Sequence, residues 1–143
     1  MQDEVEAYLA THRSMVLSYE FQGEVRAATT CYALAEPLSV YFFVFRDSEK
    51  HRAIAARPQV SVVVDDGFQI PMHGVELLGD ASIVAGDETV LGQHLLTQKF
   101  PQLADVWADQ RLLIAKLEPQ RIRIIDWTQG LGHSRHAAVR QPA

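Results

Sequence analysis

The chain has a single cysteine, Cys31, so no disulfide can form within it and no metal site can be built from several of its own thiolates. That points to a reducing cytoplasm. Long apolar runs are also missing: none approaches the roughly 20 residues a membrane helix needs, and the opening Met1-Gln2-Asp3-Glu4-Val5-Glu6 is acidic where a secretory leader would be basic. We expect neither signal peptide nor membrane span. Positive charge is scarce, with 13 Lys and Arg against 18 Asp and Glu and a net charge of −5, which argues against nucleic acid as a partner. There is no Walker loop, no Gly-x-Gly-x-x-Gly fingerprint and no Gly-x-Ser-x-Gly elbow, so nucleoside-triphosphatase and serine-hydrolase chemistry lack support. A small-molecule ligand or a protein remains as the partner.

What is present is ordinary globular composition, 48% hydrophobic and 22% charged, at the length of one domain. Val5, Tyr8 and Leu9 recur at helical spacing after Asp3, a candidate cap, and predict a helix over residues 3–10. Met15, Leu17, Tyr19 and Phe21 alternate with polar residues, and Gln22-Gly23 supplies the turn of a hairpin whose second strand runs over residues 25–34. The nearly continuous apolar segment 40–45 predicts a strand buried on both faces. A helix over residues 48–57 stops before Pro58, and strands follow over 60–65 and 75–84, where Gly79 signals a bulge or close backbone approach. A helix over 88–99 capped by Asp87, with Val90, Leu91, Leu95 and Gln98 inward, precedes a helical turn over 104–109 and two strand segments, 112–117 and 121–127, around Pro119. Strands without a βαβ repeat predict a small antiparallel barrel decorated by helices. Residues 134–143 read as a loosely ordered tail.

One segment stands out. Ser48 can cap the second helix, yet Lys50, His51 and Arg52 crowd its first turn, where the positive end of the helix dipole repels cations. A bound anion such as a phosphate would reconcile them. The plainer alternative is that Asp47 and Glu49 neutralise the turn while Lys50 points into solvent.

The same residues resemble the FMN-binding split β-barrel superfamily, the pyridoxamine 5′-phosphate oxidase-like proteins. The similarity rests on the hairpin with Gly23, the unit Tyr41-Phe42-Phe43-Val44-Phe45-Arg46-Asp47-Ser48-Glu49-Lys50, Arg57-Pro58 before a valine-rich strand, and Val75-Glu76-Leu77-Leu78-Gly79-Asp80-Ala81. The resemblance implies a mainly β fold, a six- to seven-stranded antiparallel split β-barrel with two principal helices, assembled as a homodimer with residues 1–133 as the FMN-binding domain. It implies Ser48 and Lys50 as ligands of the flavin phosphate, Arg46 or Arg52 as supplementary charges, Thr29 and Thr30 near the phosphate or ring edges, and Phe43, Val44 and Phe45 along the isoalloxazine. Ala28-Thr29-Thr30 lacks a basic residue the oxidase carries on this strand, and the oxidase's C-terminal Arg-Leu-x-Pro signature is missing. The implied function is therefore a flavin-dependent oxidoreductase acting on an unidentified small molecule, and not vitamin B6 oxidation.

Alternatives from another class are a non-enzymatic flavin or haem carrier, with haem or a deazaflavin replacing FMN, and a barrel that has lost its cofactor and serves as a dimeric interaction module. Gly130-Leu131-Gly132-His133 resembles the tail of haem-handling split barrels except at Leu131, and His133 or His73 would suit as an axial ligand. His133 and His136 have the spacing that gathers two imidazoles on one helical face, but no carboxylate follows to complete a metal site. Cys31, with no base beside it in sequence, reads as a structural thiol.

Overall fold

The computed structural model describes residues 1–140 and begins with helix α1, Gln2–Ala10. Asp3 lies inside its first turn and does not cap it. Strands β1 (Ser14–Phe21) and β2 (Glu24–Cys31) form the hairpin, in perfect register from Phe21 opposite Glu24 to Ser14 opposite Cys31. Gln22 and Gly23 both take positive φ, 53° and 83°, as a twisted two-residue hairpin turn demands. The strand expected over 25–34 breaks at Tyr32, whose ring enters the core and whose hydroxyl donates to the Leu9 carbonyl. Beyond it lies the short strand β3, Ala33–Ala35.

Strand β4 (Ser39–Phe45) is followed by helix α2 (Glu49–Ala56), strand β5 (Gln59–Asp65) and strand β6 (His73–Ile83). Helix α3 (Asp87–Lys99) and a single 3-10 turn, Pro101–Leu103, lead to strand β7 (Leu112–Asp126); β8 is Ser134–Ala138. All pairings are antiparallel, in the order β2-β1-β5-β6-β7-β4-β3, with β8 added on β7. The sheet curls so that Met15, Leu17, Phe42, Val44, Val62, Leu77, Ile122 and Ile124 share one core. Barrel curvature removes this apolar face from water on all sides, which flat pairing cannot do.

Four expectations are corrected here. The two segments around Pro119 are one strand: β7 pairs with β6 along its length, and on its other edge pairs with β4 up to Leu117 and with β8 from Arg121. Pro119 sits in the changeover, opposite a register shift at Leu78/Gly79, where a missing N–H is tolerated. The tail is not loose over Ser134–Ala138, because those backbone groups complete the free edge of β7; residues 141–143 lie outside the described residues. In α3, Gly92 and Leu96 face inward while Val90 and Leu91 are exposed. Gly92 lets the helix approach the sheet, since a Cβ there would sit 2.5 Å from Ile114 Cγ2 and 3.1 Å from Tyr41 Cδ1. The helical turn expected over 104–109 is a series of turns.

A polar clasp holds α3 on the sheet: the Tyr41 hydroxyl and the Lys116 ammonium both donate to Glu88 Oε2, each at 2.7 Å. Lys116 first, then Tyr41, lowers the Glu88 pKa, while burial and the Glu88 contact push Tyr41 up to about 12. A carboxylate with a depressed folded pKa stabilises above its unfolded value, about 4.3, and loses that contribution as pH falls through the folded value. Urea midpoints should therefore drop between pH 5 and pH 3, and Glu88→Gln should show a smaller drop.

Candidate functional site

The end of β4 and the start of α2 form a continuous surface. Even-numbered residues of β4 enter the barrel, whereas Tyr41, Phe43 and Phe45 face outward along the flank of the fold that carries α3. Val44 is buried in the barrel, so only its backbone can meet a ligand. Phe43 is half-buried and meets Trp107 edge-on at 6.0 Å and Phe45 edge-on at 6.3 Å; Phe45 is 45% exposed. Trp107 donates its indole N–H to Thr97 Oγ1 at 2.8 Å, which fixes the ring and leaves its π system as the contact surface. Arg111, paired with Asp109 at 2.7 Å, lies 5.7 Å over the Phe45 ring. Together these side chains form a partly exposed aromatic surface.

Two residues beyond Phe45, Asp47 takes φ 62° and turns the chain toward α2. The Asp47 N–H donates to His51 Nδ1 at 2.9 Å, and the Ser48 hydroxyl oxygen accepts from the His51 N–H at 3.3 Å. These two bonds lock the turn as the sequence predicts for a Ser cap. The Ser48 hydroxyl proton stays available to donate. Among the described residues, the backbone N–H groups of Glu49 and Lys50 bond no acceptor, and the ammonium of the partly buried Lys50 has no carboxylate within 4 Å. The other cations of the segment are occupied: Arg46 Nε donates to the Gln110 carbonyl at 3.3 Å, and Arg52 lies 5.1 Å over the Phe21 ring.

Arg26 of β2 reaches the same turn. Its guanidinium is 3.4 Å from Glu49 Oε1, an ion pair without hydrogen-bond geometry, and offsets the acidic residue that would otherwise repel an anion. Its position follows from the hairpin register. Arg26, Ala28 and Thr30 lie opposite the buried Tyr19, Leu17 and Met15, so they share the barrel-facing side, while Thr29 faces outward beside Val16. Thr30, four residues from Arg26, is about 13 Å further along the strand and donates its hydroxyl to the Cys31 carbonyl at 3.2 Å. The structure thus brings Ser48, Lys50 and Phe45 together and adds Arg26, but separates Thr29 and Thr30 from the turn and from each other. Sequence reasoning missed Arg26 and the contact of Trp107 with Phe43. The period-two pattern Arg26-Ala28-Thr30 held the first signal; the contact of Trp107 with Phe43 had none, because it is set by the path of the chain after α3.

A second cluster closes one end of the barrel. His12 Nε2 lies 2.6 Å from Asp66 Oδ1, to which the Tyr8 hydroxyl donates at 3.0 Å, and Tyr8 stacks on His12 and meets His73 edge-on. His12 and then Tyr8 lower the Asp66 pKa against the opposing effect of burial. His133 Nδ1 is buried without a hydrogen-bond partner. Ser134–Ala138 being a strand, the His133-to-His136 spacing does not gather the two imidazoles on one face. Burial pushes the Cys31 thiol up, as a structural thiol requires.

No protein-family profile matches the sequence, and no curated protein matches it. Solved structures do. A haem-binding protein from Mycobacterium smegmatis superposes with TM-score 0.81 at 20% identity over 96% of this chain, which spans 57% of that protein's length. A protein described as a putative pyridoxamine 5′-phosphate oxidase from Listeria innocua superposes with TM-score 0.73 at 18% identity, over 87% of this chain and 97% of the other. HutZ, the haem storage protein of Vibrio cholerae, superposes with TM-score 0.70 at 15% identity, over 82% and 89%. The fold is the split β-barrel shared by these proteins. Among the described residues, no helix is long and apolar enough to cross a membrane.

Proposed function

We propose that this split barrel binds FMN, with the phosphate at the first turn of α2 and the ring against the aromatic surface beside it, and works as a flavin-dependent oxidoreductase on a small molecule. The observation that carries this reading is Lys50: a partly buried lysine whose ammonium has no carboxylate partner, beside two unbonded backbone N–H groups and a free hydroxyl proton. Such a set of donors suits a phosphate and little else. Ser48 and Lys50 would hold the phosphate, and Arg26 would keep Glu49 neutralised. Phe43, Phe45 and Trp107 would offer π surface to the ring, with Thr29 and Thr30 left to contacts beyond the phosphate. The flavin supplies the hydride or electron transfer, and the chain's own residues bind, orient and exclude water.

A dimer is part of the proposal. The outer face of β1 and β2 carries Val16, 42% exposed, Val25, 83% exposed, and Ala27; a second copy would cover this apolar surface. Sedimentation should give twice the chain mass.

Haem binding is the second reading, supported by the two haem-protein neighbours and by the unpartnered His133 Nδ1. An absorption spectrum taken while the protein is titrated with FMN, and separately with haem, decides between them. Saturable FMN binding with unperturbed haem is expected. A Soret shift with haem and no flavin response would replace FMN by haem, and no response to either would leave the barrel as an interaction module.

A further inference from the structure

The outer face of the sheet carries a groove of about 660 Å³ where β6, β7 and β8 run side by side. Strand register sets its walls. On β7, Arg121 and Arg123 are two residues apart, so they point to the same side with their Cα atoms about 7 Å apart. Ile122 between them is 1% exposed in the core, which puts both arginines on the outer side. On β8, Ala138 stands opposite Arg121 and His136 opposite Arg123; on β6, Leu78 and Glu76 stand opposite the same two arginines. All six side chains line the groove. None belongs to the α2 turn or to the aromatic surface beside it, and β5 separates the groove from the apolar patch on β1 and β2.

Three basic side chains gather here on a chain of net charge −5, with Glu76 the one carboxylate among the lining residues. Glu76 accepts from Arg123 Nε at 3.0 Å, which holds that guanidinium in place and leaves its terminal nitrogens without an acceptor among the described residues. Arg121 is exposed and, among the described residues, has no carboxylate within 4 Å. Arg57, Arg111 and Arg135 are the contrast, each facing a carboxylate at 3.2, 2.7 and 2.7 Å. Like charges side by side on one sheet face destabilise it, and an anion between them removes the repulsion. The rest of the floor is apolar: Leu78 is partly buried, and the small side chain of Ala138 leaves the space beside Arg121 open.

We propose that this groove is a binding site for small carboxylates with an apolar body. Arg121 and the terminal nitrogens of Arg123 hold the carboxylate, because a guanidinium fork matches its two oxygens. The apolar part lies against Leu78 and Ala138, and His136 borders the end nearest Arg123. A few placed charges over an apolar floor, in a groove of this size, suit a small organic molecule.

The test follows backbone amide shifts of the isotope-labelled full chain at pH 7 during titration with hexanoate, with hexanol, which lacks the charge, and with acetate, which lacks the body. Hexanoate should give saturable shifts centred on residues 121–123 and 136–138, with acetate and hexanol each weaker by about tenfold. Arg121→Gln, a change at an exposed position that leaves the fold intact, should weaken hexanoate about fivefold or more. Arg57→Gln should leave it unchanged. Ala138→Leu, which fills the floor and keeps every charge, should weaken hexanoate more than acetate. Absence of saturable shifts in this region, or unchanged hexanoate affinity in Arg121→Gln, would overturn the proposal; acetate binding as tightly as hexanoate would overturn its apolar half.

Discussion

Gly79→Ala is expected to cost roughly 3 kcal/mol or more, about 10 °C in melting temperature for a chain of this size. The reason is steric. A Cβ at Gly79 would lie 2.7 Å from Pro119 Cα and closer still to the Glu118 carbonyl oxygen, both backbone atoms that no rotamer change can move. Those atoms belong to the changeover where β7 leaves β4 and takes up β8, so relief would require opening the β6–β7 ladder at its bulge. Gly23→Ala is the control. Its φ of 83° opposes any side chain, but nothing lies within 4 Å, so it should cost only about 1–2 kcal/mol. If thermal melts give Gly79→Ala the smaller penalty, the close approach of β6 and β7 is wrong.

Lys50→Ala should weaken FMN binding about 10- to 100-fold, the equivalent of one charge-assisted hydrogen bond at 1.5–3 kcal/mol. Arg52→Ala should weaken it by less than about threefold, because that guanidinium lies over Phe21 in an exposed position where a single charge counts for little. Arg26→Gln should fall between them, since it leaves the Glu49 carboxylate unopposed beside the phosphate. Fluorescence titration of flavin checks all three. Equal losses in the Lys50 and Arg52 variants would place the anion elsewhere.

Local signals made much of this legible. The alternation from Met15 to Phe21, the Gln22-Gly23 turn and the Ser48 cap depend on neighbours a few residues away, and each is where the sequence puts it. Elements decided by distant pairing were not legible. β8 has no apolar run of its own and is a strand because β7 leaves its edge free after Leu117. Likewise the inward face of α3 is set by Gly92 against Ile114 and Tyr41, so the larger Val90 and Leu91, which periodicity would bury, remain outside. At the site, the contiguous piece Phe43 to Lys50 was readable as a unit. Arg26 joins it only through the hairpin register and the curl of the barrel, which no local pattern records. Strand alternation turns the Val44 side chain into the core, so of the expected contact with the ring only its backbone is left to make one.

The most direct test of the phosphate site compares the affinity of the unmodified protein for FMN with that for riboflavin, which has the same ring and no phosphate. The account predicts FMN tighter by at least about tenfold, with salt weakening FMN more than riboflavin. Equal affinities, or binding of neither flavin, would contradict it.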